Sequence, residues 1–350
     1  MIWKCIDKGG LLMESSKLSI SDIAQKTGLS NATVSRVLNH PELVNPETAK
    51  LVLDTIEKLN YTPRSHKKKE EKRLILINVP EISNPFYSEV INGIIASASN
   101  HSLRTLINQA NLSETDSIDN FVSLVKSIKC YGVVLCSPLA SSHYSQIGSL
   151  LPIVQCCEYN SEDYSYVSID DYQSAYNVMK HIYTQGKRKI AFVNGSLSYK
   201  YARERQHGYE AFLQQFGLPV MERWSINLSK MNYDMAYASI CHMLSSANPP
   251  DAIFASSDLI AAAAIKAAKL YHLKVPDDLV VVGFDNINIS TICDPAITTI
   301  SQPCFQLGYT AGEILYEHIV TPEKEKQHVI LNTELIIRES SVKSDAGELI

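Results

Sequence analysis

Residues 31–39 read Asn-Ala-Thr-Val-Ser-Arg-Val-Leu-Asn, and two kinds of side chain recur there at helical spacing. Val34, Val37 and Leu38 form an apolar stripe, while Asn31, Ala32, Ser35 and Arg36 fall on the opposite face, with Thr33 and Asn39 adding to the polar set. These are groups that can read a nucleic-acid duplex. An arginine fork donates two hydrogen bonds to guanine O6 and N7, and an asparagine amide can address a base edge or a phosphate. A methyl such as that of Ala32 can meet a thymine methyl, and hydroxyls such as those of Thr33 and Ser35 suit phosphates. A bidentate arginine contact is worth about 1–3 kcal/mol of discrimination between bases. Arg36 is therefore the leading candidate for sequence recognition.

Such a face needs a scaffold, and the flanking residues supply one. Ser19 is placed to cap a first helix through Ile20, Ile23 and Ala24, with Asp22 near its positive end, and Gly28 suits the tight turn that follows. Ser30 can cap the second helix. Asn45-Pro46-Glu47 opens a third, with Asn as cap and Pro at the first helical position, running through Val52, Ile56 and Leu59 toward Pro63. The spacing predicts a helix-turn-helix whose second helix enters a major groove. A bland three-helix bundle would share the apolar pattern without the outward polar set. Charge agrees: the chain carries −5 overall, yet Glu14 to Arg73 holds 11 Lys/Arg against 8 Asp/Glu, or +3. That asymmetry fits a DNA-binding head on an acidic body.

The 350 residues, 45% of them apolar, are enough for two or three folded units with a substantial core. Eight cysteines (5, 130, 136, 156, 157, 241, 293 and 304) include no Cys-x-x-Cys pair. Neither a zinc nor a haem signature is present, so no metal is expected, and reduced buried thiols of a cytosolic protein are expected instead. No apolar stretch reaches the ~18 residues of a membrane span. Met1 to Leu12 carries Lys4, Asp7 and Lys8 and lacks the apolar core of a signal peptide. The expectation is a cytoplasmic, nucleoid-associated protein without a membrane partner, in which residues 1–16 form a start-site extension or disordered tail. No Walker motif, Gly-x-Ser-x-Gly elbow or His-Glu-x-x-His occurs, so no catalytic residues are assigned and an enzyme is not expected. His143, His181 and His242 read as surface residues.

Residues 64–73 contain no apolar side chain and read as a charged linker between a head at 17–63 and a body at 74–340, with a tail at 341–350. Within the linker, Lys67, Lys68 and Lys69 are expected to follow phosphates. From Leu74 the texture changes. Strand-like runs at 74–79, about 103–108, 132–136 and from 153 alternate with helical patterns at 85–101 and 113–127. The alternation then restarts, with helices near 171–185, 201–216, 233–245 and 259–271 and strands at 190–193, 252–255 and 279–282. Two such series predict an all-α head joined to a two-lobed α/β body of two parallel, doubly wound sheets. Open sheets bind ligands at the carboxyl ends of their strands, so the cleft between lobes is the default pocket. Asp170 and Asp258, at strand ends, are candidates for it.

With these features the chain resembles the lactose repressor family of bacterial transcription regulators, from about Lys17 to Ser340. Within that family it is most similar to the cytidine-repressor branch, which controls nucleoside uptake and catabolism. The narrower likeness rests on Val79-Pro80-Glu81-Ile82-Ser83-Asn84-Pro85-Phe86-Tyr87-Ser88-Glu89, Gly283-Phe284-Asp285-Asn286-Ile287, Cys293-Asp294-Pro295, Thr298-Thr299-Ile300, Gln302-Pro303 and Glu334-Leu335-Ile336-Ile337-Arg338. The resemblance implies a repressor that binds double-stranded operator DNA as a homodimer, with a periplasmic-binding-protein-like body. Lobe one would span about 74–168 plus 303–327, and lobe two about 169–302 plus 328–340. One recognition helix covers too few base pairs for genomic selectivity, and a dimer doubles the contacts. Asn31, Ala32 and Arg36 match the positions through which the family reads bases. Family members usually carry an Ala-Arg-x-Leu-like hinge helix whose leucine wedges into the minor groove. Residues 64–73 hold no such wedge. A linker that tracks phosphates and tolerates variable half-site spacing is implied, as is the cyclic-AMP receptor protein as a co-binding partner.

The same resemblance places an effector in the body and requires no other cofactor. Arg205 matches the arginine that holds the effector from lobe two, and Asp285 the aspartate that accepts sugar hydroxyls or ring donors. Phe86 and Tyr87 sit where the family sets rings against the ligand. Aromatic faces suit a flat base, and a carboxylate with a guanidinium suits ribose hydroxyls, so a nucleoside, cytidine first, is the expected effector. A sugar or purine is the alternative ligand. Met231 falls near the place of an aromatic residue in purine-binding relatives and would stack poorly. Arg205 and Asp285 could instead pair with each other, and Phe86 and Tyr87 could serve only as core. A transport-type solute-binding protein would fit the body but not the head.

Overall fold

A computed structural model of the chain describes residues 19–59, 61, 73–112 and 115–342. The expected extension at 1–16, the linker lysines Lys67, Lys68 and Lys69, and the tail from 343 onward lie outside the described residues. The chain divides into two compact units, residues 1–71 and 72–350.

The first unit holds α1 (Ile20–Thr27), α2 (Asn31–Asn39) and α3 (Pro46–Lys58). Each start carries the cap its sequence announces. Ser19 donates its backbone N–H and its hydroxyl to Asp22, at 2.6 and 2.7 Å. Ser30 Oγ accepts from the Thr33 N–H at 3.1 Å, and Asn45 Oδ1 from the Glu47 N–H at 2.9 Å. Gly28, at φ +70°, closes α1 in the left-handed conformation that only glycine adopts freely. Ile23, Ala24, Val34, Val37, Ala49 and Val52 form the core, and Leu38 is half-buried against it.

The second unit opens with β1 (Leu74–Val79), α4 (Pro85–Asn100), β2 (Arg104–Gln109), α5 (Thr115–Ser127), β3 (Gly132–Leu135), α6 (Ser141–Gly148), β4 (Ile153–Cys156) and β5 (Ser165–Ile169). Then come α7 (Asp171–Thr184), β6 (Ile190–Asn194), α8 (Lys200–Gln215), β7 (Ser225–Asn227), α9 (Tyr233–Leu244), β8 (Ala252–Ala255) and α10 (Asp258–Leu270). The chain continues through β9 (Val280–Asp285), α11 (Ile289–Ile292), β10 (Thr298–Ser301), α12 (Cys304–Val320), β11 (His328–Leu331) and β12 (Glu334–Ile336). Two six-stranded sheets result, ordered β11-β5-β4-β3-β1-β2 and β12-β10-β9-β8-β6-β7. The first is wholly parallel. The second departs from the expected parallel pattern at one edge, where β12 runs antiparallel to β10.

The lobes are interleaved. The chain passes from lobe one to lobe two between β5 and α7, returns between β10 and α12, and passes again between β11 and β12. His328–Leu331 pairs with β5, so this stretch belongs to lobe one and not, as expected from 328 onward, to lobe two. The expected tail also begins too early. Ser341 is buried, its hydroxyl bonding His181 Nε2 at 2.7 Å and Thr298 Oγ1 at 2.6 Å, which also takes His181 off the surface. In lobe one α12 lies on α4 with glycine at the crossing: a Cβ at Gly308 would strike the carbonyl of Val90, and one at Gly93 the carbonyl of Phe305.

Candidate functional site

Two sets of functional side chains emerge, one in each unit. On α2, Asn31, Ala32 and Arg36 are exposed, and Thr33 and Ser35 are half-buried. Thr33 Oγ1 bonds the cap hydroxyl of Ser30 at 2.9 Å, and Asn31 Nδ2 donates to Ser21 Oγ on α1 at 3.1 Å. Asn39 is the last residue of α2. The exposed face therefore carries an amide steadied by α1, a methyl and a guanidinium, which suits base-edge contacts flanked by phosphate contacts.

In the body a cleft of about 410 Å³ opens between the lobes at the carboxyl ends of their strands. Phe86 and Tyr87, both largely buried, reach it from the start of α4 and meet edge to face at 5.1 Å. Asn84 caps that helix by accepting from the Phe86 N–H at 3.1 Å, which fixes the two rings at the mouth of the turn. The rings thus line the cleft and also belong to the core of the body.

Arg205, on α8, is buried in the opposite wall. Its Nε donates to Asp171 Oδ1 at 2.9 Å and its Nη1 to the Ser256 carbonyl at 2.7 Å. The guanidinium carbon lies 3.4 Å from the centroid of the Phe284 ring and 4.8 Å from that of Tyr201. Lys200 Nζ reaches the other oxygen of Asp171 at 3.0 Å. Asp285 ends β9 and accepts from Gln302 Nε2 at 2.7 Å, so Arg205 and Asp285 do not form a closed pair. Burial pushes the Asp285 carboxyl up to about 7, against the opposing pull of Arg205 and the Gln302 bond. Asp285 and Asn286 have φ of +106° and +58°, a strained corner of the kind often held at ligand sites.

Two expected residues stand elsewhere. Asp170 is exposed and caps α7 by accepting from the Gln173 N–H at 2.8 Å; its neighbour Asp171 is the one that faces the cleft. Asp258 is fully buried behind the wall, where it accepts from the Ile287 N–H at 2.8 Å. Burial, then the charge of Asp285, raises its carboxyl to about 8. Met231 does line the cleft as a thioether, with Ser257 Oγ donating to its sulfur at 3.4 Å.

Sequence reading missed Glu158, Asp171, Tyr201 and Gln302, all of which line the cleft. The available signal was position. Asp171 follows β5 and Gln302 follows β10, at the chain crossings, where a ligand touching both lobes must lie. The seven cysteines among the described residues are free thiols; Cys156 and Cys157 sit with sulfurs 3.7 Å apart, and Cys157 faces the cleft.

Comparison with known proteins agrees with both halves. Residues 19–64 match the family described as bacterial regulatory proteins, lacI family, and residues 179–341 match the periplasmic binding protein-like domain. The chain is 31% identical over 340 residues to the HTH-type transcriptional repressor CytR of Escherichia coli (strain K12), covering 94% of this chain and 97% of that protein. Its fold superposes on the transcriptional regulator CelR–cellobiose complex with a TM-score of 0.71 at 25% identity, covering 93% of this chain and 100% of the other. It is also similar to the lac repressor dimer bound to operator and the anti-inducer ONPF, with a TM-score of 0.73 at 21% identity and coverage of 93% and 100%. With this likeness running through head and body alike, the chain belongs to the lacI family of bacterial regulatory proteins, as a DNA-binding transcriptional repressor.

Proposed function

We propose that the chain acts as a homodimer in the cytoplasm, and that a nucleoside bound between its lobes, cytidine first, sets its hold on operator DNA. The observation that carries this is the composition of the cleft. Aromatic rings of Phe86, Tyr87 and Tyr201 stand beside hydrogen-bonding groups of Asn84, Asp285 and Gln302, in a volume of about 410 Å³. That is the scale of a small-ligand pocket. Flat walls suit a base, and carboxylate and amide groups suit ribose hydroxyls. The likeness to CytR points the same way.

Asn31, Ala32 and Arg36 read bases in this scheme, while Thr33, Ser35, Asn39 and the linker lysines Lys67, Lys68 and Lys69 hold phosphates. The effector alters operator occupancy only through its different affinity for the bound and released states. The cyclic-AMP receptor protein is the partner to test for co-binding, and regulated genes of nucleoside uptake and catabolism are the target class. A sugar is the second reading, favoured by the likeness to a regulator solved with cellobiose.

Isothermal titration of the full chain with cytidine, uridine, adenosine, ribose and cellobiose decides between them. Cytidine is expected to bind and to change the affinity for operator DNA in a gel-shift assay. Binding of sugars without nucleosides would replace the ligand and keep the regulator.

A further inference from the structure

We infer that Glu158 makes the cleft selective for an unphosphorylated ligand, by occupying with its own carboxylate the place where a ligand's phosphate would be held. The inference rests on the nucleoside reading for its ligand but not for its geometry.

Glu158 lies in lobe one, between β4 and β5, and is buried. Its side chain crosses the cleft to α8 of lobe two. One oxygen accepts from the Lys200 N–H at 2.7 Å and the other from the Tyr201 N–H at 3.1 Å. These are the first two amides of a 16-residue helix, the end that carries partial positive charge and that commonly receives phosphate. The preceding loop brings Ser196, Ser198 and Tyr199 into the cleft as well. A neighbouring pair of interlobe contacts pins the same segment. Arg203 Nη2 donates to Asn160 Oδ1 at 3.4 Å, and Lys200 Nζ stands 4.8 Å from the centroid of the Tyr159 ring.

The rest of the lining offers a phosphate little in exchange. Four carboxylates face the cleft (Glu81, Glu158, Asp171 and Asp285) against two cations, Arg205 and Lys230. Arg205 already gives Nε to Asp171 and Nη1 to Ser256. Burial pushes the Glu158 carboxyl up to about 7 despite its two N–H partners, and Asp285 is also raised to about 7. Carboxyl groups thus outnumber cations on the lining, and burial already disfavours added negative charge there. A dianion would have to displace Glu158 into a low-dielectric space beside the buried Asp171 and Asp285, whereas a neutral nucleoside leaves the arrangement intact.

The test is titration of wild type and Glu158→Gln with cytidine and with cytidine 5′-monophosphate. Glutamine keeps one acceptor for the helix amides and removes the charge. Wild type is expected to bind cytidine at least about tenfold more tightly than the monophosphate, and Glu158→Gln to narrow that gap by about tenfold or more. A second arm uses inorganic phosphate in thermal denaturation, expected to stabilise Glu158→Gln and not wild type. Glu158→Ala, which empties the helix end, carries both arms should the glutamine variant fail to fold.

An unchanged cytidine-to-monophosphate ratio in the variant, or equal binding of the two by wild type, overturns the inference and leaves the nucleoside reading standing. If wild type binds no nucleoside, that reading falls. The phosphate arm then decides: phosphate protection confined to the variant upholds the role of Glu158, and its absence ends it.

Discussion

Three carboxyls in lobe two show how one residue type divides its work by environment. Asp171 is held between Lys200 and Arg205, Asp285 faces the cleft, and Asp258 is shut in behind it. Asp258 meets Asp285, the Thr299 hydroxyl, the Ile287 amide and the charge of Arg338. Because its folded-state value is raised from 3.8 to about 8, the folded protein binds that proton more tightly than the unfolded chain. Its contribution to stability is full below the unfolded value and is lost as pH rises through the folded one. Asp258→Asn is therefore expected to flatten the fall of melting temperature between about pH 5 and 8 and to add roughly 1–3 kcal/mol at the alkaline end. Thermal denaturation across that range checks it; an unchanged slope would show that the native carboxyl stays ionised. Arg205→Ala leaves Asp171 with Lys200 alone and removes the cation over Phe284, so a loss of about 3 kcal/mol is expected in urea unfolding. At this scale the sequence was only partly legible. The family resemblance pointed to Arg205 and Asp285, and both line the cleft. Asp170 and Asp171 carry the same side chain, and only the direction of the chain leaving β5 decides which one faces the cleft. Glu158 had no local signal, because its partners lie 42 and 43 residues away.

The helices of the head declared themselves through their caps, and most of the strands legible in the sequence are apolar runs, with Arg104–Gln109 the mixed exception. Ser30 and Asn45 were readable because serine and asparagine are strongly preferred where a helix start leaves backbone N–H groups to be accepted. Ser30→Ala is expected to destabilise the head by about 1 kcal/mol, seen as an earlier transition in helical circular dichroism of the full chain. β5, Ser-Tyr-Val-Ser-Ile, was missed because alternation suggests a half-exposed strand, whereas all of it is buried. Its serines find partners inside: Ser165 Oγ bonds His318 Nε2 at 2.7 Å, and Ser168 Oγ donates to the Cys157 carbonyl at 2.9 Å. The long helix α12 buries Cys304, Leu307, Ala311, Ile314 and Leu315 at helical spacing, but exposed Phe305 and Val320 share its outer face with Gln306, which blurs the contrast that marks surface helices. Its glycine is a separate matter of fit. Gly308→Ala is expected to push α12 off α4 and to cost about 3 kcal/mol, since backbone cannot yield as a side chain does. A melting temperature within a degree or so of wild type would mean that the crossing adjusts freely.

For the whole molecule, the division into a basic-leaning head and an acidic two-lobed body was legible from charge and alternation, because both are long-range averages over many residues. Strand order and the final exchanges between lobes were not, because nothing in a local window says which sheet a strand will join. The division of labour has a direct check. Arg36→Ala is expected to lose about 1–3 kcal/mol of preference for operator over competitor DNA while the affinity for effector stays as in wild type. Equal selectivity in a competition gel-shift would move the base-reading role elsewhere on α2. The late pairing of β11 with β5 and of β12 with β10 has its own consequence for how the body is made. Each sheet closes one edge with residues from 328–336, so neither half is finished when the stretch that fills most of it leaves the ribosome. Many proteins let an early domain settle while a later one is still being translated. Here both halves must wait, each with a bare edge strand, for the same short closing segment.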